Sequence, residues 1–217
     1  YAVKMSASEK KSYESACLKL LTAYISGGGE MQKAHDIAAR SGLLDRVISF
    51  YAYSGAPAEN GFAAAYACAR LYQIDRRYPE AAFYYKKVIG YAPTSIAFHS
   101  ELAGLLSQLG NFSAALEEYE LIISLESVRR QGNRNSLDTA VFLEKAFTTS
   151  LYLGDIQRAV QFYSEYVNTQ AVAGGRVISE NYVDSQISIF CEENGYYEKA
   201  FEYLEKSISG METDDPV

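Results

Sequence analysis

The chain has 217 residues, of which 48% are apolar and 22% charged, enough to bury a substantial core, and this excludes intrinsic disorder. No apolar run approaches the roughly 20 residues of a membrane-spanning helix. The net charge of −7, from 20 Lys+Arg against 27 Asp+Glu, argues against a nucleic-acid binder, whose affinity rests on a positive field.

Apolar residues recur at a period near 3.6, never 2, which predicts eleven helices and no strand. They lie near 8–26, 30–41, 43–54, 62–75, 79–91, 96–109, 112–126, 137–153, 156–170, 180–193 and 197–209. Gly27-Gly28-Gly29, between the first two, is a helix–helix turn; no strand precedes it and no Gly-Lys-Ser/Thr follows, as a phosphate loop would require. The third helix, carried by Leu43, Leu44, Val47, Ile48 and Tyr51, falls in an insert at 42–61. Pro79 opens the fifth, where its missing N–H costs nothing. Gly110-Asn111, Gly154-Asp155 and Asn194-Gly195 each separate two amphipathic stretches. A second insert, at 128–137, holds the basic run Arg129-Arg130-Gln131-Gly132-Asn133-Arg134, read as a solvated loop, and a third lies near 173–179. Residues 210–217 (GMETDDPV) are acidic and expected to fray.

The helices repeat in pairs. Ala65, Cys68, Ala69, Tyr72, Ala81 and Tyr85, moved on by 34 residues, fall on His99, Leu102, Ala103, Leu106, Ala115 and Tyr119, small on small and large on large. Looser copies are Leu143, Ala146, Phe147, Gly154, Ala159 and Tyr163; Ile187, Ser188, Cys191, Gly195, Tyr197, Ala200 and Leu204; and, at the N-terminus, Leu18, Leu21, Thr22, Ile25, Ala34 and Ala38. In each unit the small residues let two helices cross closely. Tyr72, Tyr78, Tyr85, Tyr119, Tyr163 and Tyr197 are expected to fill the space beside them, which accounts for part of the 19 Tyr against no Trp. Phe147, where Gly or Ala is usual, predicts a wider crossing in its unit.

This pattern resembles the tetratricopeptide repeat (TPR), with Ala65 or His99 in place of its opening Trp. The resemblance covers 62–127 most specifically, then 138–209, and 8–54 in degenerate form. It implies an all-α, right-handed superhelical solenoid of antiparallel helix pairs with about four to five repeats. Stacked repeats share a continuous core, so 1–209 is expected to be a single domain, followed by the tail at 210–217.

The resemblance also implies a non-enzymatic scaffold or adaptor that binds a peptide or a protein subunit on the concave face made by the first helices. The positions facing that groove are Ala63, Tyr66, Ala67, Arg70 and Gln73 in the first strong unit and Ser100, Glu101, Gly104, Ser107 and Gln108 in the second. In the later units they are Glu144, Lys145, Thr148 and Tyr152, then Tyr182, Gln186 and Ile189. Tyr66, Arg70, Gln73, Glu101, Gln108, Glu144, Lys145 and Tyr152 are the candidate partner-binding residues. Tyr66 and Arg70 are four apart on one helical face, a pairing enriched in binding hot spots. The groove lacks the Lys and Asn constellation with which chaperone-binding members grip a C-terminal carboxylate. An alternative reading, from the irregular 41- to 47-residue spacings, is a regulatory sensor that encloses a short peptide and changes pitch.

Residues 1–108 carry 12 basic and 9 acidic side chains and residues 109–217 carry 8 and 18, so a partner is expected to offer an acidic or aromatic element to Arg70 and a basic one to Glu101 and Glu144. No acid, base and nucleophile constellation is visible, and no cofactor or metal is expected. His35 and His99 have no neighbouring ligand and read as packing; Cys17, Cys68 and Cys191 form no disulfide framework and read as small core residues. Asn111-Phe-Ser113 satisfies a glycosylation sequon but coincides with a repeat turn. A cytoplasmic setting is favoured, nucleic acid and membrane insertion are not expected as partners, and homo-oligomerisation is left open without being indicated.

Overall fold

Four helix starts in this chain are capped by short polar side chains. In the computed structural model, which describes residues 6–53, 61–129, 137–173 and 179–213, Ser6 and Glu9 form a reciprocal capping box at the first helix. Asn111, Asp155 and Ser179 likewise accept a bond from a first-turn N–H, of Ala114, Arg158 and Tyr182 respectively. The described helices are α1 (Ala7–Ser26), α2 (Met31–Arg40), α3 (Leu44–Tyr53), α4 (Gly61–Ile74), α5 (Tyr78–Tyr91), α6 (Ile96–Gln108), α7 (Phe112–Arg129), α8 (Leu137–Tyr152), α9 (Ile156–Ala173), α10 (Glu180–Glu193) and α11 (Tyr197–Thr213). No strand occurs among the described residues. α11 runs to Thr213, into the segment expected to fray, because Gly-Met-Glu-Thr holds no residue that stops a helix outright. The basic residues 130–134 lie outside the described residues.

Several helices end at a left-handed residue. Gly42, Gly110, Gly154 and Gly195 have φ between 67° and 80°, and Arg76, 34 residues before Gly110, takes the same conformation at φ 60°. Only glycine adopts it without strain. Within each unit, the turns at Gly42, Arg76, Gly154 and Gly195 fold one helix back on the one before it.

The chain groups into two compact units, Tyr1–Leu109 and Gly110–Val217. In the first, α4 packs on α5, α5 on α6 and α3 on α4, while α1 lies against α2 and α3. Leu21, Ile25, Ala34, Ala38, Val47, Ile48, Ala67, Cys68 and Leu71 form a core cluster there. In the second, α7 packs on α8, α8 on α9, α9 on α10 and α10 on α11. Ala159, Val160, Val167, Val183, Ile187, Phe190, Cys191 and Ala200 form a core cluster there. The repeat alanines Ala34, Ala81, Ala115, Ala159 and Ala200 are all buried.

Two packing expectations need correction. Ala67, read as groove-facing, is buried in the core of the first unit. Tyr197, read as a filling residue, is 70% exposed, and Leu204 of the same repeat unit is 45% exposed; Tyr196 and Tyr203 pack against the core cluster instead. Phe147 stands half-buried in a ring cluster with Tyr163, Tyr166 and Phe190, centroids 5.3–5.7 Å away. Its neighbour Ala146 is fully buried where the preceding repeat has Leu102, so large and small residues have exchanged places between adjacent positions.

Candidate functional site

α4 presents Phe62, Tyr66, Arg70 and Gln73 at i, i+4, i+8 and i+11, one stripe of a helix. α6 brings Phe98 and Glu101 to the same stripe. At its N-terminal end the surface is aromatic: Phe62 stacks on Tyr66 at 6.2 Å, and both rings lie against Phe98, at 5.7 and 5.8 Å. Tyr91 closes edge-on over Phe62 at 6.3 Å, and its hydroxyl fills the space a Cβ at Gly61 would need. These rings are half-buried or exposed, not core.

One to two turns further along, the stripe becomes polar. Gln73 is the hub: its Oε1 accepts from Arg70 Nη1 at 2.9 Å and from the Tyr85 hydroxyl at 2.9 Å, and its Nε2 donates to Glu101 Oε2 at 2.7 Å. Arg70 and Glu101 also form an ion pair at 3.7 Å. Tyr85 is fully buried; burial pushes its phenol up to about 12, with the Arg70 guanidinium opposing the rise. Beside this network Gly104 has open space where a Cβ would stand.

Four of the candidate residues, Tyr66, Arg70, Gln73 and Glu101, are therefore neighbours. Arg70 and Glu101 already answer each other's charge, so the pair forms a near-neutral polar edge and not two separate charged groups. Gln108 is exposed at the last position of α6, two turns beyond Glu101. Phe62, Phe98 and Tyr91 were not singled out from sequence. Phe62 continues the i, i+4 stripe of Tyr66 and could have been found by it, whereas its approach to Phe98 and Tyr91 depends on helix pairing.

Glu144, Lys145 and Tyr152 lie in the second unit, exposed along α8. Lys145 Nζ stands 6.0 Å from the rings of Tyr119 and Phe142. Tyr152 stacks on Phe112 at 4.8 Å. With Thr148 and Leu151 it lines an open pocket of about 370 Å³, completed by Asn194 and Tyr196 from the α10–α11 turn.

The histidines are held by their neighbours. His99 is buried with Nε2 2.9 Å from the Pro93 carbonyl. His35 bridges Asp36 and Asp75, each at 3.3 Å. Among the described residues no His, Cys, Asp and Glu group could hold a metal, and no helix is long and apolar enough to cross a membrane.

No protein-family model matches the sequence, and no curated protein matches it. Solved structures do resemble the fold. The nearly identical TPR-like repeats assigned to a kinesin light chain of Podosopora anserina superpose with a TM-score of 0.53 at 19% identity, over 94% of this chain and 98% of that one. A variant of those same repeats gives 0.52 at 18%, over 91% and 94%. BtubC (BKLC) from P. vanneervenii gives 0.51 at 14%, over 99% and 95%. The fold is a tetratricopeptide-like helical repeat, as the 34-residue pattern implied.

Proposed function

We propose that the chain is a protein-interaction module that binds a segment of a partner protein across the α4–α6 face. The carrying observation is the Phe62–Tyr66–Phe98 ring cluster, which stays accessible on a repeat fold while running directly into the Arg70–Gln73–Glu101 network. An apolar side chain of the partner is placed against the rings, where burial is worth about 1.5–3 kcal/mol for one Leu- or Phe-sized group. The polar edge then serves the segment's peptide groups, which must find hydrogen bonds once removed from water. Because Arg70 is paired with Glu101, affinity is expected to depend weakly on salt, unlike that of a charge-steered groove.

Affinity capture with the wild-type chain and with Phe62→Ala/Phe98→Ala tests this, using Phe83→Ala as control. Phe83 is exposed on α5 and shares no ring contact with the cluster. A partner retained by wild type and control but lost from the double variant is the expected result. A partner lost only from the Phe83 variant would place the interface on another face.

A further inference from the structure

Two helices leave an apolar stripe uncovered. On α1, Tyr13, Cys17, Leu20 and Tyr24 fall at i, i+4, i+7 and i+11; on α11, Tyr197, Phe201, Leu204 and Ile208 fall at the same intervals. All but the half-buried Cys17 are between 40% and 70% exposed. Each stripe runs about 16 Å, at 1.5 Å per residue. Each lies to one side of what its helix buries, Leu21 and Ile25 on α1 and Ala200 and Ser207 on α11.

Inside the units the equivalent surfaces are occupied. α5 seats α6, α7 seats α8 and α9 seats α10, so the second helix of one hairpin carries the first helix of the next. By position, α11 is a second helix and α1 a first helix. A contiguous exposed apolar patch marks an interaction surface. What would fit α11 is a first helix bearing a stripe of the same spacing and a positive surplus, and α1 has both.

The positive surplus is local as well as regional. On α1, Glu9 caps Ser6 and Glu14 pairs with Arg46 at 2.7 Å, leaving Lys10, Lys11 and Lys19. On α11, Lys199 and Lys206 both hold Glu202, at 2.6 and 2.8 Å, leaving Glu198 and Glu205. The surplus charges of the two helices are opposite in sign, as are those of residues 1–108 and 109–217.

We propose that α11 of one copy docks on α1 of another, continuing between molecules the second-helix-to-first-helix packing found within each. The contact is heterologous and adds copies head to tail. It uses a surface separate from the α4–α6 face, so it stands independently of the partner-binding reading.

Light-scattering mass measurement from micromolar to submillimolar concentration tests it, at low and high salt. The mass of the wild-type chain should rise with concentration past that of a dimer, and less so in high salt, which screens the lysine–glutamate attraction. Leu20→Glu blocks the α1 face and Phe201→Glu the α11 face. Each alone should remain monomeric, while an equimolar mixture should give a one-to-one dimer and nothing larger, since each variant keeps the face the other lacks. Both side chains are exposed, so unchanged circular dichroism is expected; Leu20→Ser and Phe201→Ser provide the same comparison without added charge. A wild-type chain that stays monomeric throughout would overturn the proposal and assign the stripes to a different protein or to another segment of a longer chain. Dimerisation of Leu20→Glu by itself would overturn it in favour of α11 pairing with α11, and that of Phe201→Glu in favour of α1 with α1.

Discussion

Replacing Gln73 by Ala is expected to destabilise the first unit by about 1–3 kcal/mol, almost entirely through Tyr85. Gln73 makes three hydrogen bonds, but their loss is not equal. Arg70 and Glu101 are 32% and 42% exposed and stand 3.7 Å apart, so water and their own pairing replace most of what Gln73 supplied. The Tyr85 hydroxyl is different. Its residue is fully buried, and its proton goes to Gln73 Oε1 at 2.9 Å. Arg70 lies close by but has only donors, so it cannot accept that proton. A buried donor left without an acceptor costs about 1–3 kcal/mol, and this sets the magnitude. Tyr85→Phe removes the donor, so in that background Gln73→Ala should cost no more than about 0.5 kcal/mol, the size of an ordinary surface change. Urea unfolding of the wild type, the two single variants and the double variant closes the cycle, with the slope checked because a chain of two units need not unfold in one step. A coupling of about 1 kcal/mol or more supports the hub role. Equal costs of Gln73→Ala in both backgrounds would refute it.

Arg76 holds a left-handed conformation where the equivalent turns have glycine, and its side chain is exposed. Arg76→Gly should therefore raise stability by up to about 1 kcal/mol, the strain relieved outweighing the extra freedom of the unfolded chain; a lower urea midpoint would count against that account. Burial also makes the fold sensitive to alkali. The Cys68 thiol is pushed up to about 11 from its ordinary 9.0, and the Tyr84 and Tyr85 phenols to about 12 from 10.0, chiefly by desolvation. The unfolded chain thus loses these protons first, so the stabilisation is fully present below about pH 9 and is lost as pH rises toward about 11–12. Cys68→Ala should flatten the fall in stability between about pH 9 and pH 11 relative to wild type, and an unchanged slope would show that the thiol is not the group responsible.

Where a helix lies was legible because it is written locally: apolar spacing on one side, with Asn111, Asp155 or a left-handed glycine at the ends. Arg76 is the instructive exception, since nothing local marks an arginine as left-handed; its place is visible only because it precedes Gly110 by one repeat. Pairings within one helix were legible too, as with Tyr66, Arg70 and Gln73. Pairings across helices were not. Whether Arg70 is a free charge or the partner of Glu101 depends on the approach of α4 and α6, and so does the meeting of Phe62 with Phe98 and Tyr91. The sequence supplies the charges, and packing decides whether they are already spent on each other.

Repeat logic fails in a further, predictable way. A repeat position says what a residue would touch if a neighbouring repeat were present, and the filling role expected of Tyr197, like the alignment of Leu204, rests on that assumption. In the interior the assumption holds: Tyr85 and Tyr119, at the position of Leu204 in their own repeats, are buried. On α11 the same position is 45% exposed. The misreading is therefore informative. An apolar residue that repeat alignment places inside, and that stands exposed, identifies a surface shaped to receive one more helix, and the matching stripe on α1 has the spacing and the charge of such a helix.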